Sequence, residues 1–242
     1  MTTFSNFLRP IVLVGLVAAL FSCNNEAEKK EEPKSPDTSV TQEITPPAPP
    51  EFKPFDVLEV THTVKDYAKW RPFFDADSAA RIASGLKTIA VSRNSDNPNS
   101  ITLVFEAADI SKAKAFAADP RLKEVMTKGG VSSKPDIAFY KVIRFDPDPT
   151  SKEWVIITHR VKDFDAWLKV YDAEGKAARA DQGLFDAVLT RGVEDPNIVH
   201  IVFDIKDKAK AKAAIASEEK KKLMMSAGVE GKPKIEFFKE GE

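Results

Sequence analysis

Cysteine occurs once in the 242 residues, histidine three times and glycine ten times. A single thiol excludes an internal disulfide framework. The glycines form neither of the phosphate-cradling loops, Gly-x-Gly-x-x-Gly or Gly-x-x-x-x-Gly-Lys-Ser/Thr, so a nucleotide site of those kinds is not expected. Gly-x-Ser-x-Gly is missing as well, and no histidine stands with carboxylates at metal-ligand spacing. Serine-nucleophile and metal-dependent hydrolysis are therefore not expected, and no metal site is assigned. Neither sign of charge dominates: Lys plus Arg is 36, Asp plus Glu is 37, and the formal net charge is −1. That balance argues against a nucleic-acid partner, which draws on a basic surface.

The N-terminus departs from the globular pattern of the rest. Arg9 closes a short polar start, and an apolar run follows from Ile11 to Phe21. It falls short of the roughly 20 residues that a spanning helix needs, and it suits the apolar region of a secretory signal. The run ends in Leu20-Phe21-Ser22-Cys23, which resembles the lipobox of bacterial lipoproteins. That resemblance implies a signal peptide over 1–22, cleavage before Cys23, and acyl chains (palmitate among them) on Cys23 as a lipid anchor to a membrane. The folded part would then lie in the cell envelope, outside the cytoplasm. From Asn24 onward the chain is rich in Glu, Lys and Pro and almost free of large apolar residues until Phe52. Such a segment cannot bury a core, and its prolines extend it. Residues 23–54 therefore read as anchor plus spacer.

Beyond the spacer the chain resembles itself. Thr61-His62-Thr63-Val64-Lys65-Asp66-Tyr67-Ala68-Lys69-Trp70 is answered by Thr158-His159-Arg160-Val161-Lys162-Asp163-Phe164-Asp165-Ala166-Trp167. After one extra residue in the second copy the pairs continue: Arg81 with Arg179, Arg93 with Arg191, Asn97-Pro98-Asn99 with Asp195-Pro196-Asn197. Met126, Gly130, Val131, Pro135, Ile137 and Phe139 then match Met224, Gly228, Val229, Pro233, Ile235 and Phe237. Chance does not produce this order with one insertion, and a period of this length marks a repeated structural unit. Two copies are expected, 55–145 and 153–242, joined by a linker at 146–152.

Each copy reads as strand, helix, strand, strand, helix, strand. β-branched residues alternate through Val57–Val64, and Asp66 suits an N-cap. Tyr67, Trp70 and Phe74 share one helix face. Asp96-Asn97-Pro98-Asn99 is a turn between two short strands, Asp109 caps a second helix that Pro120 interrupts, and Ile137–Val142 ends the unit. This order predicts an α+β fold: two tandem ferredoxin-like units, each a four-stranded antiparallel sheet with its helices on one face, packed as an intramolecular pseudo-dimer that is otherwise monomeric.

The Val-Lys-Asp-aromatic-x-x-Trp starts, the Asn/Asp-Pro-Asn hairpins and the Gly-Val-x-x-x-Pro approach to the last strand carry a further resemblance. Each copy is similar to a dimeric α/β-barrel protein of the antibiotic-biosynthesis-monooxygenase-like superfamily, over about 57–143 and 154–239. The resemblance implies the barrel. It leaves function open, because that superfamily holds cofactor-independent monooxygenases, cyclases, haem-handling proteins and members without a known role.

Candidate residues follow from strand alternation. His62 shares its face with Leu58, Val60 and Val64, and His159 with Val155, Ile157 and Val161, faces that pack under helices. His200 and Asp204 share the less apolar face of their strand and would point between the sheets, as a catalytic base and its orienting partner. Thr158, Arg160 and Glu236 would join them. The first copy offers Thr61, Thr63, Thr102, Glu106 and Tyr140. Ligand-binding candidates are thus His62, His159, Arg160, Glu106 and Tyr140. Trp70 and Trp167 read as core, Asp66 and Asp163 as caps, and the paired arginines as ion-pair or hairpin residues. The leading expectation is a membrane-anchored module that holds a small ligand or partner, without cofactor. The alternative is a cofactor-independent monooxygenase- or cyclase-like enzyme acting between the sheets. Haem held by a histidine and a purely structural envelope role stand behind these.

Overall fold

A computed structural model describes residues 52–241. Cys23, the signal segment and nearly all of the spacer lie outside the described residues. The first half of the described chain runs β1 (Phe55–Thr63), α1 (Tyr67–Ala76), α2 (Ser78–Ala83), β2 (Leu86–Asn94), β3 (Ser100–Ala107), α3 (Ile110–Ala117), α4 (Pro120–Lys128) and β4 (Asp136–Phe145). The second half follows the same order: β5 (Glu153–Val161), α5 (Phe164–Glu174), α6 (Lys176–Asp181), β6 (Phe185–Gly192), β7 (Ile198–Asp204), α7 (Lys208–Ala216), α8 (Glu218–Ser226) and β8 (Val229–Glu240).

Each crossover thus holds two short helices where the sequence pattern suggested one. The breaks have local causes. Gly175 takes φ 82 between α5 and α6, a conformation that L side chains avoid. Asp119 caps α4 with Pro120 in its first turn, and Ser217 does the same work for α8 through a bond from the Lys220 N–H. The expected caps are present too: Asp66 accepts from Lys69, Asp109 from Ser111 and Lys112, Asp163 from Ala166 and Asp207 from Lys210. Each cap supplies an acceptor for a first-turn N–H, typically about 1 kcal/mol.

The Asn-containing hairpins have a second task. The Asn99 side chain accepts from the Tyr67 N–H at 3.2 Å and donates to the Lys65 carbonyl at 3.4 Å. Asn197 repeats both bonds with Phe164 and Lys162. Arg93 and Arg191 brace the same corner, each donating to a hairpin carbonyl, Pro98 or Pro196, while the guanidinium lies about 4 Å over the Tyr67 or Phe164 ring. The hairpin is thereby tied to the start of the first helix in both halves.

All eight strands join one closed antiparallel barrel, in the order β1-β3-β2-β8-β5-β7-β6-β4. Within a half the order β4-β1-β3-β2 is ferredoxin-like. Closure comes from the last strand of each half, which is long enough to serve two neighbours. β4 pairs with β1 through Asp136–Val142 and then with β6 through Tyr140–Phe145. β8 pairs with β5 along most of its length and reaches β2 with Phe238–Glu240. Two sheets facing each other were expected from the pattern; the paired strand ends make them one continuous wall.

The helices cover the outside of the wall. Leu58, Val60, Val64, Trp70, Ile101 and Phe105 form one helix–sheet core; Val155, Val161, Trp167, Leu184, Val199 and Phe203 form the other. Trp70 stacks on Phe74 and Trp167 on Tyr171, both at 5.1 Å between centroids. Both tryptophans are thus core, each such side chain stabilising the fold by about 1.5–3 kcal/mol through burial.

The paired arginines Arg81 and Arg179 are buried under these helices and differ in one partner. Arg179 binds both Asp186 oxygens at 2.7 Å, donates to the Tyr171 carbonyl, and lies 3.8 Å over the Tyr171 ring. Arg81 keeps the carbonyl, from Phe74, and the ring, but Thr88 stands where the second half has Asp186, and its carboxylate is Asp77 at 3.7 Å. Removing Arg179 leaves a shielded carboxylate without its cation, which costs about 3–5 kcal/mol. Removing Arg81 leaves Asp77, which is farther from its cation and more exposed, and costs about 1–3 kcal/mol. Urea unfolding of Arg179→Ala and Arg81→Ala is expected to show that order; equal losses would mean that Asp186 adds nothing.

Candidate functional site

The barrel is hollow at one end. Inward-facing side chains enclose a cavity of about 290 Å³, and the linker between the halves lies across its mouth with Pro147, Asp148, Pro149 and Ser151. The lining follows strand alternation except where bulges in β2, β4 and β6 shift it. β1 contributes Phe55, Val57 and Glu59; β4 contributes Phe145, Val142 and Tyr140; β7 contributes Asp204, Val202 and His200. In each list the residue nearest the linker comes first, so Glu59, Tyr140 and His200 share the deep end.

Those three meet across the lumen. Glu59 Oε2 lies 3.4 Å from His200 Nε2, and the two side chains are 14% and 7% exposed. The Tyr140 ring packs on the imidazole with 4.7 Å between centroids. The other ring nitrogen, Nδ1, is 3.1 Å from the Thr158 hydroxyl. When that hydroxyl accepts the Nδ1 proton, Nε2 is left as an acceptor facing Glu59. The Thr190 hydroxyl donates to the His200 carbonyl at 3.1 Å and secures the strand on the other side.

Burial sets the charge of this cluster. Desolvation pushes the Glu59 carboxyl up to about 8, against the pull of Lys234, and pushes His200 down to about 4. The Tyr140 hydroxyl is raised for the same reason. At neutral pH the cluster is uncharged, with one proton on Glu59 and a free acceptor on His200. Near the mouth Asp204 accepts from the Asp148 N–H at 2.7 Å, and burial raises its carboxyl as well.

The sequence-derived candidates separate into three groups. His200, Asp204 and Tyr140 line the cavity, and Thr158 supports His200 from behind. Arg160 and Glu106 lie at strand ends outside the lining. Arg160 faces Asp195 and Glu230, and Glu106 faces Lys87. Glu236, half-exposed, pairs with Lys234. His62 and His159 are on the opposite face of the wall, under the helices, each set edge-on at 5.7 Å against Trp70 or Trp167. Both nitrogens of both rings are without a hydrogen-bond partner, and burial lowers each imidazole to about 4. The cavities beside them, about 50 and 60 Å³, have room for a few waters and not for a macrocycle. Among the described residues no group of three or more His, Cys, Asp or Glu is placed to hold a metal ion.

Glu59 was not singled out from the sequence, although a signal was there. It alternates with Val57 and Thr61 on the inward face of a strand, and the second copy has Ile156 in its place. An acid that only one copy carries, on a face expected to be enclosed, is a mark of a site.

No protein-family model and no curated protein matches the chain. Solved structures do. A candidate monooxygenase from Fusobacterium nucleatum subsp. nucleatum superposes with a TM-score of 0.53 at 11% identity, over 78% of this chain and 93% of that one. A second candidate monooxygenase, from Lactobacillus acidophilus, has a TM-score of 0.49 at 12% identity, over 76% and 93%. An uncharacterized ferredoxin-fold protein related to antibiotic biosynthesis monooxygenases, from Listeria monocytogenes, has a TM-score of 0.46 at 12% identity, over 79% and 97%. The fold is an α+β barrel of ferredoxin-like order, shared with the Fusobacterium structure. At such identities the likeness concerns the fold alone.

The buried titrating groups set how stability varies with pH. His62, His159 and His200 are held below the ordinary 6.5, so the unfolded chain takes up protons first as pH falls, and stability drops from about 6.5 toward 4. Glu59 is held above 4.5, so the folded chain keeps its proton longer, and stability drops as pH rises toward 8. Between 4.5 and 6.5 three imidazoles outweigh one carboxyl, and above 6.5 Glu59 acts alone. These four groups place maximal stability near pH 6.5, with a steeper acid limb worth about 3 kcal/mol per imidazole. Urea midpoints from pH 4 to 8.5 check this, and Glu59→Gln is expected to flatten the alkaline limb. A midpoint still rising through pH 8 in the native chain would contradict the assignment.

Proposed function

We propose that the chain is a cofactor-independent enzyme of the monooxygenase or cyclase kind, which receives a small, largely apolar molecule in the barrel cavity and moves a proton on it. The observation that carries this reading is the facing pair: a carboxyl and an imidazole from different halves, 3.4 Å apart, at the deep end of an otherwise apolar chamber. The fold of the neighbouring structures agrees with it; two of them are candidate monooxygenases, which is said of those proteins.

The chemistry follows from the resting charges. His200 Nε2 accepts a proton from an acidic C–H or O–H of the substrate while the Glu59 hydroxyl delivers its own proton to another atom of the same molecule. The pair ends with the imidazolium beside the carboxylate, a state that their mutual attraction stabilises, and one proton transfer across the gap restores the start. The pair by itself gives a proton shift or ring closure without a cofactor; a monooxygenation would also consume dioxygen as the oxidant of the carbanion formed when His200 takes the proton. Thr158 fixes the tautomer, and Tyr140 covers the ring face. Bifunctional transfer of this kind is worth about 10²–10⁴-fold per group.

The sequence supplies the placement. In this reading residues 1–22 are a signal peptide, Cys23 bears the lipid, 23–54 is a spacer, and the halves 55–145 and 153–242 are copies of one unit, standing outside the cytoplasm as a membrane-anchored envelope lipoprotein. A module that only holds a ligand is the second reading, favoured by the linker across the cavity mouth, which suits retention more than turnover.

One experiment separates the two. Purified protein is screened with small phenolic and enolic carbon acids, following binding by calorimetry and turnover by mass spectrometry. Turnover that falls at least 100-fold in both Glu59→Gln and His200→Ala, with binding kept in Glu59→Gln, is the expected result. Binding without turnover in the native chain would leave the holding role, and turnover indifferent to both substitutions would remove the pair. Placement has its own test: Cys23→Ser is expected to lose labelled fatty acid and membrane partitioning. A variant that keeps both would refute the anchor.

A further inference from the structure

The cavity lining is one-sided in charge. Glu59, Asp148 and Asp204 contribute carboxyls, and among the described residues no lysine or arginine lines the space. Two cations stand just outside the lining: Lys206 lies 3.8 Å from Asp148, and Lys234 pairs with Glu236 at 2.8 Å while its charge also pulls on Glu59. The walls between the deep and outer carboxyls are aromatic and aliphatic, with Phe55, Phe145 and Trp154 toward the linker and Tyr140 within.

The internal correspondence sharpens the point. Where the first half has Glu59 and Tyr140, the second has Ile156 and Phe238, and where the second has His200, the first has Thr102. The Thr158–His200 contact has its counterpart in a Thr61–Thr102 hydroxyl pair at 2.9 Å. The acid is therefore no requirement of the shared fold, since the same strand position is filled by isoleucine. It stands on one side of the lumen only, with Ile156 on the opposite wall of the same cavity, which gives a bound molecule one preferred orientation.

We infer that the chamber's ligand is an organic cation: a protonated amine on a compact aromatic or aliphatic body, its nitrogen beside Glu59 and its body against the aromatic walls. The inference rests on the reading of the cavity as the ligand site and adds the ligand's chemical class. An anion entering this space would lose its hydration and meet carboxyls with no cation in the lining itself. A neutral molecule meets no penalty and no strong partner. An amine that arrives as the free base takes the Glu59 proton onto its nitrogen and is held as an ammonium against the resulting carboxylate, beside aromatic faces that attract positive charge. A volume of about 290 Å³ suits a body of two fused rings.

The test uses three probes of one shape: 2-naphthylmethylamine, 2-naphthylmethanol and 2-naphthoate, titrated by calorimetry at pH 8 into the native chain and into Glu59→Gln. The expected order is amine over alcohol by at least tenfold, with the naphthoate not measurable. Glu59→Gln, nearly isosteric and checked for its near-ultraviolet spectrum, is expected to bring the amine to the level of the alcohol; Asp204→Asn, at the mouth, is expected to weaken the amine less. An alcohol as tight as the amine, measurable naphthoate, or an amine preference that survives Glu59→Gln would overturn the cation class and leave the chamber as the ligand site. No binding of any probe would overturn the chamber reading itself, and this inference with it.

Discussion

The exchange of strand ends between the halves is the constraint on which the rest depends. A ferredoxin-like unit covers one face of its sheet with helices and leaves the other face and two edges open. In this chain β4 and β8 each run past the end of their own half and pair with β6 and β2 of the other. The two open faces become the inside of a barrel, and the open edges disappear into its wall. Closure removes a template for aggregation, and it also creates a space inside the wall. The chamber is therefore a product of the fold's own hydrogen-bonding requirement. The two closures are unequal, three residue pairs at β2–β8 against five at β4–β6, so the β2–β8 seam is the weaker part of the wall.

Within that frame the two halves follow the same order of elements and share most of their structural devices. Caps, hairpin asparagines, hairpin arginines, tryptophans and the buried histidines of the helix–sheet cores come in matched pairs with nearly equal geometry. The departures from pairing are few, and several of them concentrate in the lumen: Glu59 against Ile156, Tyr140 against Phe238, His200 against Thr102. Two paired halves give a lumen with two equivalent sides. Divergence at a handful of inward positions makes one side polar and leaves the other with isoleucine, phenylalanine and a pair of threonine hydroxyls.

The histidines show how the same residue type takes opposite roles on the two faces of one strand wall. His62 and His159 are enclosed by tryptophan and aliphatic side chains without a polar partner, and burial alone holds them neutral. His200 is as well enclosed, yet it has a hydroxyl on one nitrogen and a carboxyl facing the other. Neutrality costs the first two their usefulness as bases. For the third it leaves an acceptor opposite a proton donor, and that difference comes from neighbours on other strands.

The α+β class, the twofold order of elements, the capping aspartates, the core tryptophans and the helix-facing histidines were all legible in the sequence, because each rests on local periodicity or on a residue's preference for a particular turn. The inward direction of His200 and Asp204 was legible for the same reason, since strand alternation has a period of two. The splitting of each crossover into two helices was only partly visible, through Pro120. Arg160 and Glu106 were expected inside and stand at the rim, because alternation assigns a face and not a depth along the barrel. The partnership of Glu59 with His200 was beyond local reading altogether. These residues are far apart in the chain and on strands that never pair; they meet because β4 and β6 join and bring β1 and β7 to face each other across the lumen. The sequence by itself determined the units, their order and which way each strand residue faces. The tertiary structure alone decided which inward residues meet, at what depth, and how burial sets their charge, since those depend on barrel closure and on the loss of water inside it.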